Sequence, residues 1–110
     1  MVDTIRLVQG DSKPEITLTL TDESTGIPLD LSAATTIIRI KFRAAGSTTL
    51  LSTIVCAKTD AANGIVSFDF SGGALTTATA GMYEGEIEID YNGLTHTVYD
   101  VLKFRVRDDF

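Results

Sequence analysis

Apolar and polar residues alternate along this chain in short runs, and no segment keeps its apolar side chains at helical spacing. Residues 15–20 put Ile16, Leu18 and Leu20 on one side and Thr17 and Thr19 on the other. Residues 37–43 set Ile38, Ile40 and Phe42 against Arg39, Lys41 and Arg43. Residues 50–57 are apolar on both parities, as in a strand covered on both faces or one of less definite register. Residues 65–70 group Val66, Phe68 and Phe70 against Ser67 and Asp69. Residues 83–91 place Tyr83, Ile87, Ile89 and Tyr91 opposite Glu84, Glu86, Glu88 and Asp90. Leu102, Phe104 and Val106 stand opposite Lys103, Arg105 and Arg107, and residues 4–8 read as a first strand.

The breaks between these runs carry turn chemistry. Asn92-Gly93 and Asn63-Gly64 both tolerate the positive φ of a tight turn. Thr25-Gly26-Ile27-Pro28 ends the second run, where Pro28 withholds a ladder donor. Ser71-Gly72-Gly73 breaks the sheet after Phe70, and residues 75–80 have room for one helical turn. The parity of residues 98–101 is irregular and suggests a bulge. Seven short strands with no internal repeat or linker predict a single all-β domain over residues 1–110. A two-sheet antiparallel β-sandwich fits best; SH3-like and OB barrels, with fewer and more bent strands, rank second.

Charge placement refines this to an immunoglobulin-like topology. In such a sandwich the third, sixth and seventh strands share a sheet, with the sixth between the others. The acidic stripe Glu84, Glu86, Glu88 and Asp90 then lies between Arg39, Lys41, Arg43 and Lys103, Arg105, Arg107. Opposite charges across strands contribute roughly 0.2–1 kcal/mol a pair, whereas the acidic stripe alone would repel itself. Tyr83, just after Gly81, occupies the place of a tyrosine corner, whose phenol bonds back to the preceding connection. Gly85 stands where antibody domains carry a cysteine, so the core must join the sheets without a disulfide.

Composition removes several functions. The chain has 110 residues, 44% hydrophobic and 22% charged, with a formal net charge of −6. That balance opposes a nucleic-acid-binding surface. No apolar run reaches the roughly 18–20 residues of a membrane span, and the first residues lack the pattern of a secretory signal. One cysteine, Cys56, cannot form an internal disulfide. A soluble domain from a reducing compartment, or one indifferent to redox conditions, is expected. Cys56 reads as a small core residue with only Lys58 near it in sequence.

No catalytic, cofactor or metal residue is expected. His96 is the sole histidine, and no nucleophile elbow, Walker loop or His-Glu-x-x-His motif accompanies it. Asp22, Glu23, Asp30, Asp108 and Asp109 are acidic, but none falls in a calcium-loop spacing. Gly72-Gly73 lacks the Lys-Ser or Lys-Thr of a phosphate cradle.

The order of short motifs adds a resemblance. Gln9-Gly10-Asp11 is followed by Ile27-Pro28-Leu29-Asp30-Leu31-Ser32-Ala33-Ala34. Asn63-Gly64-Ile65-Val66 and Gly81-Met82-Tyr83-Glu84-Gly85-Glu86 come after them. This series, over about residues 5–107, resembles the immunoglobulin-like N-terminal domain of tailed-phage baseplate upper proteins and related small virion proteins. The resemblance implies a structural tail or baseplate protein, assembled in the host cytoplasm into the virion. It implies docking on distal tail or baseplate components, homo-oligomers, and no catalysis, cofactor, nucleic acid, membrane or small-molecule substrate. Such proteins continue into helical or fibre segments, which leaves open an accessory virion protein or an anchoring domain. In the extended Pro28-Leu29-Asp30-Leu31 crossing, the leucines are expected to plug the sandwich end while Asp30 stays wet.

A carbohydrate- or receptor-binding module is the alternative. The chain has no Trp, so Tyr91 and Tyr99 would have to serve as stacking platforms, and Tyr91 has inward parity. The net charge is also uneven. The third, sixth and seventh strands hold six cations against four carboxylates, while the rest of the chain holds three against eleven.

Overall fold

Residue alternation becomes two packed sheets in the computed structural model, which describes residues 4–98 and 101–109. The strands are β1 (Ile5–Val8), β2 (Ile16–Thr19), β3 (Thr36–Ala44), β4 (Ser52–Val55), β5 (Ala57–Asp60), β6 (Ile65–Phe68), β7 (Gly81–Tyr91), β8 (Leu94–Thr97) and β9 (Leu102–Arg107). One short helix, α1 (Ala74–Thr77), supplies the single helical turn. The larger sheet runs β1-β9-β7-β3-β4, with β8 also on β7; the smaller runs β2-β6-β5. β7 therefore lies between β3 and β9, the arrangement expected from the charge pattern. The fold is the immunoglobulin-like β-sandwich, with one parallel pair, β1 on β9, among antiparallel neighbours.

Nine described strands replace the seven read from sequence for two reasons. Residues 50–57 are two strands in different sheets. The Cys56 N–H donates to the Ile38 carbonyl at 2.8 Å, after which Ala57 pairs with Ser67 of the smaller sheet. A strand that changes sheet at a corner has no single core-facing parity, which accounts for its apolar character on both. The second reason is β8, which forms a hairpin with β7 across Asn92 (φ 55°) and Gly93 (φ 97°). Ile89 faces His96 but Tyr83 faces Phe104, so the second arm holds two extra residues between β8 and β9. An even offset preserves which face each side chain takes. The bulge expected over residues 98–101 involves Tyr99 and Asp100, which lie outside the described residues.

The core fills the space between the sheets. Ile38, Ile40 and Phe42 of β3, Ile89 of β7, Phe104 of β9 and Val66 of β6 are essentially fully buried. Phe42 is the hub of an aromatic cluster. Its ring stacks on Tyr83 at 5.1 Å and meets Phe104 and Phe70 edge-on at 5.3 and 5.7 Å. Such contacts add roughly 0.5–1.5 kcal/mol a pair beyond area burial. The Tyr83 phenol donates to the Thr79 carbonyl at 2.7 Å, completing the tyrosine corner. The space above Gly85 is already filled: a Cβ there would meet Ile40 and Phe104 side-chain carbons, each at 3.0 Å.

Two connections close the sandwich end. Leu31 is fully buried, Leu29 half-buried and Asp30 exposed, as the crossing requires. Gly64 (φ 72°) must be glycine twice over, because a Cβ there would run into the Leu20 carbonyl oxygen.

Candidate docking surface

Strand alternation carries the charged residues of β3, β7 and β9 to the outer face of the larger sheet, away from the core. Register then sets their partners. Arg39, Lys41 and Arg43 lie opposite Glu88, Glu86 and Glu84. Lys41 Nζ reaches Glu88 Oε2 at 2.6 Å, on the diagonal two residues along β7 from its register partner Glu86. Arg39 bridges Glu88 at 3.5 Å and Asp90 at 3.4 Å, and Arg43 meets Glu84 at 3.0 Å. This half of the face is close to neutral and half-buried.

The other half differs. Lys103 faces Glu84 in register, and Arg105 faces Met82. Glu84 is already engaged by Arg43, and Arg105 instead approaches the Met82 sulfur at 3.9 Å. The parallel β1 strand adds Arg6 beside Arg105. Among the described residues, Arg6, Lys103 and Arg105 form no ion pair, and all three are exposed. Arg107 lies next in the same row and donates to the Asp108 carbonyl at 2.7 Å. The acidic stripe is thus matched on one flank only. Arg6 belongs to the cationic strip through the parallel pairing of β1 with β9.

The remaining candidates do not assemble into a reactive site. Cys56 is buried, and loss of solvation pushes its thiol up to about 12, so it stays protonated at neutral pH. His96 is exposed on β8. The carboxylates of Asp22 and Asp30 are each held by a serine two residues on. Asp22 Oδ1 accepts from the Ser24 N–H and hydroxyl at 2.8 and 2.6 Å; Asp30 Oδ1 accepts likewise from Ser32 at 3.0 and 2.6 Å. These bonds hold both carboxyls below their ordinary value. Asp69 repeats the turn with Ser71. The Asp-x-Ser spacing recurs three times in the sequence and was the signal for these turns. Among the described residues no group of three or more His, Cys, Asp or Glu is placed to hold a metal.

Asp108 and Asp109 are exposed after β9, and Gly73 caps a helix of one turn. Tyr91 packs half-buried against the core beside a cleft of about 700 Å³ that Leu18, Leu20, Leu29 and Leu102 also line. Tyr99 lies outside the described residues.

No protein-family profile matches the chain, and no curated protein matches it. Solved structures do. The chain is similar in fold to the N-terminal domain of phage TP901-1 ORF48. The likeness has a TM-score of 0.61 and covers 98% of this chain and 86% of that one, at 15% sequence identity. At that identity the agreement is one of fold alone.

Proposed function

We propose that this chain is a structural module of a phage tail or baseplate, docking on another virion protein. The observation that carries this reading is the fold likeness to the N-terminal domain of a phage protein across 98% of the chain. It meets the ordered motifs from Gly10-Asp11 to Gly81-Met82-Tyr83, which resemble the corresponding domain of baseplate upper proteins. The reading is non-catalytic: the thiol is buried and protonated, and the loop carboxylates serve turns.

The cationic strip of Arg6, Lys103 and Arg105 gives the docking reading its chemistry. On a chain of net charge −6, a local patch of unneutralised cations orients an approaching acidic surface and raises its association rate. The ion-paired β3–β7 half offers no comparable field. The test is capture of purified tail and baseplate components of the same phage by the immobilised chain. Capture that falls with added salt and is lost in Lys103→Glu/Arg105→Glu is the expected outcome. Failure of every tail component to bind the wild-type chain would overturn the reading.

A further inference from the structure

The edges of the two sheets are guarded unequally. β1 carries Arg6, β2 follows Lys13, Pro14 and Glu15, and β5 carries Lys58 and Asp60; β8 offers only the imidazole of His96. Edge strands with charges or proline resist pairing with another chain. β4 has neither. Residues 44–57, which contain it, hold no charged side chain and no proline. Leu50, Leu51 and Val55 are exposed there, Val55 at 63%.

The backbone of β4 is set for a further strand. Cys56 bonds to Ile38 on the β3 side, and Ile54 and Ser52 follow it at alternate positions opposite Ile40 and Phe42. Antiparallel alternation therefore aims the N–H and C=O groups of Thr53 and Val55 away from β3, at the free edge.

We infer that β4 pairs antiparallel with β4 of a second copy, about a two-fold axis at Ile54. In that register Thr53 faces Val55 of the other copy twice over, exchanging four backbone hydrogen bonds and matching β-branched side chains. Ile54 meets its own counterpart on the inner side, where it is half-buried. The occupant is a second copy because β4 is self-complementary: it offers both the open edge and the uncharged, β-prone strand that the edge accepts. Chains of net charge −6 repel one another over most of their surface, whereas β4 brings no charge of its own to the contact, Glu15 and Asp69 lying across the cleft beside it. The inference does not rest on the phage reading.

The experiment is the solution mass across a concentration series extending to millimolar, with amide hydrogen exchange at Thr53 and Val55. The expected mass rises from 11.8 kDa to twice that, with protection of both amides in the dimer. Val55→Pro removes only the outward N–H, one hydrogen bond per copy, and weakens association on the order of 30-fold. Val55→Glu lies opposite Arg39 in register, which suits the monomer, yet puts like charges beside the axis. It abolishes the dimer, whereas Leu94→Glu, equal in charge but on β8, leaves it intact. A wild-type chain that stays monomeric throughout overturns the inference. So does a dimer that survives both Val55 substitutions in folded protein.

Discussion

The two flanks of β7 began alike in the sequence and ended differently in the structure. On one side β3 meets β7 through nine consecutive register pairs, from Thr36↔Tyr91 to Ala44↔Tyr83. On the other, the partner is divided into β8 and β9, with four and five pairs separated by the two-residue offset. Both flanks bring basic residues against the same acidic stripe, but the ion pairs form on the β3 flank. Carboxylates already engaged by Arg39, Lys41 and Arg43 leave Lys103 and Arg105 unneutralised. The unbroken ladder consumes charge; the interrupted one leaves it unneutralised.

The sharpest way to expose this inequality is in the core. Phe42→Ala on β3 removes the ring that contacts Tyr83, Phe104 and Phe70, and should destabilise the fold by about 3–5 kcal/mol in denaturant unfolding. Leu94→Ala on β8, where the side chain is 75% exposed, should stay within about 0.5 kcal/mol. Comparable losses at the two positions would mean that β8 is integral to the core and that the flanks are energetically equal.

The properties common to both flanks were legible in the sequence. Ile38, Ile40 and Phe42, like Leu102, Phe104 and Val106, show their burial by period-two alternation, which depends only on a strand's own residues. Tyr83 was legible for the same reason, because its bond to Thr79 is local. What separates the flanks depends on adjacency. The sheet change at Cys56 and the parallel placement of Arg6 are set by distant strands, and neither leaves a periodic trace. The competition that gives Glu84 to Arg43 rather than Lys103 depends on side-chain reach once register is fixed. The site was accordingly half visible: Lys103 and Arg105 were named, but neither Arg6 nor which cations stayed unpaired.

A smaller effect tests the ion pairs themselves. Glu88 holds both Lys41 and Arg39, so Glu88→Gln should cost about 0.5–1 kcal/mol, diminishing as salt is raised. Lys103→Gln, with no ion pair among the described residues, should change stability by less than about 0.5 kcal/mol at any salt. Equal losses would show that the β9 cations are neutralised in solution, and the proposed docking role of the strip would lose its basis.

The smallest effect lies where the flanks touch. Asp90 Oδ1 accepts the Gly93 N–H at 2.8 Å, holding the β7–β8 turn, while Oδ2 meets Arg39 at 3.4 Å. Both favour the ionised carboxylate, the Gly93 bond more, and together hold Asp90 below its ordinary 3.8. A depressed carboxyl stabilises the fold above its unfolded value and loses that contribution as pH falls through the folded one. Asp90 should therefore titrate below 3.8 by side-chain NMR, with the turn loosening only at more acidic pH. Arg39→Gln should raise the midpoint partway, because the Gly93 bond remains. Complete return to 3.8 in that variant would mean the β3 ion pair, not the hairpin, governs Asp90, and the β8 flank would then depend on β3 for its own turn.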